Sequence, residues 1–463
     1  MSKRGGPLMT PPQSPRRGGQ PSVERIRSPE DVKVPAGSTL RDIILSLIFG
    51  VASWTYQFML IRLVVFLFTF SVFAVVYSIR HVGDVPSRIR KVMRLWNAER
   101  SPEPRGKEPA ERNFPQGTYL RTPPECFSHF VEYDFPKKWF EWNGIRIHYV
   151  EAGPRNGDRD WAGETFLFVH GNPSWSFLFR KVAVMHQLAA ANHRVLAIDL
   201  IGFGMSDKLV FEPHSIKIQV DMLASFCNHA KLAGVTMVLH DWGGVIGLSA
   251  LDGIQSPSFL KHIVLMDAFL PSRVSLGHEA DFSASLMLMT LQMYTAILGK
   301  HTFLEPLIRF ITPKSPTSVV HGYTAPYPSS VLSTVFETFP RLIHPMFPGR
   351  LTPFFAILFS ELAEGLHSDE DIHARVDTIK HRLKAMKQPV LIVYGAQDQI
   401  TIYFKDKWKK LLSSVSMERC DEIVMIQNAG HFSPEDNSDT VTAVIESFVK
   451  GQPIKYIDHV YFA

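Results

Sequence analysis

Cysteine is scarce: Cys126, Cys227 and Cys420 are the only three in 463 residues. Their wide spacing excludes a disulfide framework and any metal-binding pattern, and it fits a reducing compartment. No Asn-x-Ser/Thr acceptor with a permitted middle residue occurs, which is compatible with a domain kept away from glycosylation. A strong excess of one charge is also missing, since 49 Lys and Arg stand against 44 Asp and Glu. Part of the +5 balance comes from a tail, and no nucleic-acid motif accompanies it. The hydrophobic share of 45% and charged share of 20% exclude a largely disordered chain. The length points to one large α/β catalytic unit with attachments.

Two stretches lack charge altogether. Ile43 to Ile61 and Leu63 to Ile79 are apolar runs divided only by Arg62, each near the roughly 20 residues that cross a bilayer. Both are apolar all round, which a half-buried helix would not be. One span or a tight hairpin fits equally. Arg41 precedes them and Arg80, Arg88, Arg90, Lys91 and Arg94 follow, so the positive-inside rule places the rest of the chain on the cytoplasmic face. Residues 1–40, rich in Pro, Gly, Ser and Arg, read as a disordered basic tail. Residues 41–80 read as the membrane segment and 81–117 as a charged, proline-bearing linker.

From residue 118 the pattern is globular. Trp139 to Trp142 and Ile145 to Val150 flank Asn143-Gly144, the signature of an antiparallel hairpin. Phe166 to Val169, Val195 to Ile198, Thr236 to Leu239 and Ile263 to Met266 are short buried-strand runs. Helical patterning lies between them, from about Phe177 to Ala190 and from Ile218 to Leu232. Such alternation predicts a parallel sheet covered on both faces. It stops over 271–388, where helical patches (Ala284 to Leu298, Leu351 to Leu362), prolines and aromatics predict an inserted helical cap. Strands resume with Val390 to Tyr394 and Glu422 to Ile426, and a helix from about Thr440 to Val449 closes the fold. The core is therefore expected in two parts, 118–270 and 389–463.

Polar residues gather where these strands end. Asn172, Asp241, Asp267, Asp398 and His431 each follow a strand, and ligands of parallel sheets sit outside those carboxyl ends. Thr236 to Gly247 reads strand, sharp turn, glycine-opened helix, with Asp241 raised at the turn. A carboxylate there suits attack on a carbon bearing a leaving group, because the ester formed can be hydrolysed in a second step.

These strings resemble the haloalkane dehalogenases of the α/β-hydrolase superfamily. The likeness runs from about Arg121 to the C-terminus, through Arg121-Thr122-Pro123-Pro124, Asp134-Phe135-Pro136 and Gly144 to Tyr149. It continues through His170 to Arg180, Ile201 to Lys208, His240 to Gly244 and the cap string Gly322 to Pro328. The resemblance implies an α/β-hydrolase fold with a mostly parallel sheet. It implies Asp241 as nucleophile, His431 as base and Asp398 as the acid, with Asp267 as the alternative acid. Asn172 and Trp242 would supply halide-binding side chains and an oxyanion hole. No metal or organic cofactor is implied. The partners expected are a small lipophilic substrate, water and, through the anchor, membrane lipid.

Epoxide hydrolases are similar and are the second reading. They need acids that protonate the epoxide oxygen, commonly cap tyrosines, and Tyr294, Tyr323 and Tyr327 are the candidates here. A membrane-tethered binding protein that keeps the fold without turnover is the third.

Overall fold

The computed structural model describes Phe114 and residues 118–128, 130, 133–154, 163–181, 187–209, 214–270, 304–339, 369–413 and 423–463. The expected tail, membrane segment and linker lie outside the described residues, apart from Phe114. Among the described residues no helix is long and apolar enough to cross a membrane.

The described residues form eleven strands: β1 (Tyr119–Leu120), β2 (Lys137–Trp142), β3 (Ile145–Ala152), β4 (Thr165–Val169), β5 (Arg194–Ile198), β6 (Lys208–Leu209), β7 (Val235–His240), β8 (Leu260–Met266), β9 (Val390–Gly395), β10 (Val424–Ile426) and β11 (Val460–Phe462). Nine of them form one sheet in the order β11-β10-β9-β8-β7-β4-β5-β3-β2, while β1 and β6 pair separately. From β10 to β5 every pairing is parallel. The central strands β4, β7 and β9 are buried at every residue, as strands covered on both faces must be. This is an α/β-hydrolase fold.

The hairpin expected around Asn143-Gly144 is present: Trp142 pairs with Ile145 across it. Both turn residues have positive φ, 49° and 85°, which a two-residue turn matching strand twist requires. The helix Ile216–His229 begins at Ser215, whose side chain accepts the Ile218 N–H at 3.2 Å. Phe177 to Ala190 is not one helix. Its described parts are a 3-10 turn, Ser176–Phe179, and a short turn, Leu188–Ala190, because Phe177, Leu178 and Phe179 are all driven inward and leave no exposed helical face.

Within 271–388 the described residues contain no strand. The helices Leu304–Ile311, Thr317–Thr324 and Thr334–Thr338 and the 3-10 turn Ser330–Ser333 lie there. Helix Thr317–Thr324 is docked closely: Trp175 Nε1 donates to the Gly322 carbonyl at 3.2 Å, and a Cβ at Gly322 would meet the Phe177 ring. Thr122 Oγ1 donates to the Pro326 carbonyl at 2.7 Å and Thr334 Oγ1 to that of Leu209 at 2.9 Å. Farther on, helix Asp369–Ala385 packs against helices Ile216–His229 and Trp242–Ala250. The patches Ala284 to Leu298 and Leu351 to Leu362 lie outside the described residues.

Candidate active site

Asp241 sits between β7 and helix Trp242–Ala250 with φ 52° and ψ −120°, a conformation that costs a non-glycine residue of order 1–3 kcal/mol. The neighbours make it possible. A Cβ at Gly243 would stand 2.9 Å from the Val169 carbonyl carbon, so only glycine lets the helix start this close to β4. Leu239, two residues before the turn, is large, and Gly247 makes room for it: a Cβ there would lie 3.0 Å from Leu239 Cδ1. Strain and close packing together hold the carboxylate up at the strand end.

Four of the sequence-derived residues meet there. His431 Nε2 stands 3.6 Å from Asp241 Oδ2, too long for a direct hydrogen bond but short enough for an ion pair. On its other side, His431 Nδ1 is 3.3 Å from Asp398 Oδ1. The Asn172 backbone N–H donates to Asp241 Oδ1 at 2.9 Å. Asp241, Asp398 and His431 are no more than 4% exposed. Trp242 is held by two aromatic edges, Phe269 at 4.7 Å and 80° and Phe339 at 5.2 Å and 77°. The Asn172 side-chain oxygen is buried with no hydrogen-bond partner.

Asp267 is brought near but not into the chain of contacts. It forms no ion pair with His431; Gly395 N–H donates to its Oδ1 at 2.7 Å, and the Ser433 hydroxyl bonds its Oδ2. The cap tyrosines are also placed apart. Tyr323 is fully buried and its hydroxyl donates to Glu435 Oε2 at 2.8 Å. Tyr327 packs on Phe336 at 4.4 Å, with the Lys208 ammonium 5.5 Å from its ring. Tyr294 lies outside the described residues.

Some supporting residues were not singled out by sequence reasoning. Thr401 contacts both Asp398 and His431: its hydroxyl bonds Asp398 Oδ2 and lies 3.3 Å from His431 Nδ1, while Thr401 N–H donates to Asp398 Oδ1 at 3.1 Å. Ile400 N–H adds a bond at 2.8 Å. Arg180 and Glu435 form a buried ion pair at 2.5 Å, four residues beyond His431. Arg180 ends a quoted string and Glu435 stands in Ser433-Pro434-Glu435-Asp436. Arg180 directly after Phe177-Leu178-Phe179 was the available signal, and nothing local marks Glu435. His240 donates through Nε2 to the His431 carbonyl at 2.8 Å, and burial lowers its pKa to about 3, so it stays neutral.

The charges follow from burial and these partners. Burial raises Asp241 to about 6 even though His431 and the Trp242 and Asn172 N–H groups favour its ionised form. Burial works to lower His431, but the charge and hydrogen bond of Asp398, with Asp241 behind them, hold it at about 9. Burial would raise Asp398, yet His431 and Thr401 keep it below the usual carboxylate range. At neutral pH the arrangement holds an ionised Asp241 and an imidazolium between two carboxylates.

A model described as the alpha/beta hydrolase family matches residues 166–444, and the chain belongs to that family. It is a hydrolase of haloalkane dehalogenase-like type. It is 27% identical to a haloalkane dehalogenase of Mycolicibacterium paratuberculosis over 336 residues, 71% of this chain and 97% of the relative. To haloalkane dehalogenase 1 of Mycobacterium bovis it is 32% identical over 235 residues, 48% of this chain and 71% of the relative. Among solved structures, the tetrameric haloalkane dehalogenase DpaA of Paraglaciecola agarilytica NO2 superposes with a TM-score of 0.55 at 21% identity, covering 70% of this chain and 96% of that one. That likeness carries the fold.

Proposed function

We propose that the chain is an aspartate-nucleophile hydrolase that cleaves a carbon–halogen bond through an alkyl-enzyme ester. The observation that carries this is the alignment of Asp241, His431 and Asp398 beyond the ends of β7, β10 and β9, at 3.6 and 3.3 Å. Asp241 Oδ1 is engaged by the Asn172 N–H, so Oδ2 keeps the freer lone pairs and attacks the halogen-bearing carbon in line. The C–O bond forms as the C–X bond breaks, and halide departs with the bonding electrons. The Asn172 side chain and Trp242 indole N–H are the donors proposed to receive it.

The second step needs a base. Esterification removes the Asp241 charge, one of the influences that raise His431, so the imidazolium gives up its proton more readily once the ester exists. Neutral His431 Nε2 then takes a proton from water as the oxygen adds to the Asp241 carboxyl carbon. The backbone N–H groups of Asn172 and Trp242 stabilise the oxyanion and Asp398 the new imidazolium; on collapse the bond from the carboxyl carbon to the alkyl-bearing oxygen breaks, the imidazolium proton passes to the departing oxygen, and alcohol leaves with the Asp241 carboxyl restored.

Epoxide hydrolysis would need an acid aimed at the substrate oxygen. Of the described cap tyrosines, Tyr323 has its hydroxyl committed to Glu435, which works against that reading. Asp241→Ala tests the proposal. It is expected to abolish bromide release from bromoalkanes while the protein stays folded; release near the wild-type rate would remove Asp241 as nucleophile.

The proposal extends to place. The runs Ile43 to Ile61 and Leu63 to Ile79 would anchor the hydrolase to a membrane with its site on the cytoplasmic face, where a lipophilic substrate can be drawn from the bilayer. Deletion of residues 1–95 is expected to release the protein from the membrane fraction; unchanged sedimentation with membranes would contradict the anchor.

A further inference from the structure

Two buried carboxylates stand beside one histidine, and the reaction proposed above uses only one of them. Asp267 follows β8 at φ 45° and is fully buried. Its bonds run to the last residue of β9 and to the first residue of the helix Ser433–Asp436. Gly395 N–H donates to its Oδ1 at 2.7 Å, three residues before Asp398. The Ser433 hydroxyl bonds its Oδ2, two residues after His431. The Asp267 backbone carbonyl accepts from Thr401 Oγ1 at 2.8 Å, the same hydroxyl that bonds Asp398 and stands 3.3 Å from His431 Nδ1.

We infer that Asp267 is a positioning residue, a tie between the end of β9 that leads to Asp398 and the helix start that follows His431, rather than a second charged partner of the histidine. The inference rests on the two-step reading for what the tie serves. The geometry separates the two acids: Asp398 reaches the ring at 3.3 Å, whereas Asp267 reaches the Gly395 N–H that precedes Asp398 and the Ser433 hydroxyl that follows His431. Electrostatics agree. Burial and then the charge of Asp398 push Asp267 well above the usual carboxylate range, against His431, Ser433 and Gly395. Two neighbouring buried carboxylates do not both ionise readily, and the one in contact with the imidazolium keeps the charge. Asp241, Tyr394 and His240 are the other titratable groups near this cluster. A neutral Asp267 keeps both side-chain bonds and adds no second charge.

The test uses the full chain carrying ring-labelled histidine, with the His431 signal assigned by its loss in His431→Gln. Asp267→Asn, a neutral group of the same shape, is expected to move the His431 titration midpoint by less than about 0.3 unit, whereas Asp398→Asn lowers it by about one unit or more. Asp267→Asn is also expected to keep the ester-hydrolysis rate within about threefold, while Asp267→Ala slows it on the order of tenfold with little change in KM. A midpoint shift of one unit in Asp267→Asn, or wild-type hydrolysis in Asp267→Ala, overturns the tie. Should Asp267→Ala fail to fold, Ser433→Ala replaces it: slower hydrolysis with an unmoved midpoint supports the tie, and an unchanged rate overturns it. The titration is read without substrate. Failure of His431→Gln to form any ester would sink the two-step reading and leave the midpoint to decide the charge of Asp267.

Discussion

Gly171 is where the smallest perturbation should have the largest effect on the proposed nucleophile. A Cβ added there would stand 2.7 Å from Asp241 Cγ, and closer still to Oδ1, where ordinary contact begins at 3.4 Å. The backbone at Gly171 has no positive φ, so alanine fits the chain and only the contact is new. Asp241 cannot swing away cheaply, because its own backbone is pinned at φ 52°. Its carboxyl must therefore retreat by at least about 0.7 Å, out of the 2.9 Å bond from the Asn172 N–H. Since a misplacement of about 1 Å costs about a hundredfold, the alkylation step of Gly171→Ala should slow by about thirtyfold. The assay is single-turnover bromide release, with circular dichroism to confirm the fold. Gly234→Ala is the control, for its φ of 62° lies in open space with nothing within 4 Å. It should cost about 1–2 kcal/mol of stability and leave alkylation alone. Alkylation within threefold of wild type in folded Gly171→Ala would refute the placement of the reacting carboxylate.

Other consequences are open to measurement. Asp241 must be ionised to attack and burial holds it at about 6, so bromide release should fall with pH below about 6 and level off above it. Hydrolysis of the ester needs neutral His431 and should rise with pH, with a midpoint below the resting value of about 9; a rate that falls between pH 6 and 8 would contradict this. Tyr323→Phe deletes the bond to Glu435 and should lower stability by about 1.5–3 kcal/mol, as for a hydrogen bond to a charged group, measured by urea unfolding. Turnover of bromoalkanes should survive that change; its loss would make the tyrosine a direct participant. Leu239→Ala opens a cavity beneath the elbow and should cost about 2–5 kcal/mol, visible as a lower Tm.

The fold was legible because its signals are local. Continuous apolar runs such as Thr236 to Leu239 and Val390 to Tyr394 declare buried strands, and a polar residue after each marks the strand end. Asp241, Asp398, His431 and Asn172 were readable on that ground, since topology alone brings consecutive strand ends together. What pairs across distance was not. β11 is a three-residue strand, too short to show a period, and only its antiparallel match to β10 defines it. Thr401 reads as an ordinary loop threonine until the fold places its hydroxyl against Asp398 and near the His431 ring. Arg180, Tyr323 and Glu435 come from three separate segments and become a buried cluster only after the helix Thr317–Thr324 docks. Asp398 was favoured over Asp267 already by its Gly395-Ala396-Gln397-Asp398 setting; both follow strands that are neighbours in the sheet, and the coordinates add which atoms near His431 each one reaches.

The central claim is the ester on Asp241, and intact mass of the His431→Gln protein tests it most directly. Incubated with bromoalkanes, this variant should gain the mass of one alkyl group as bromide is released, and peptide mapping should place the group on Asp241. An unmodified, folded protein across the bromoalkanes, or an adduct formed only with epoxides, would contradict the account.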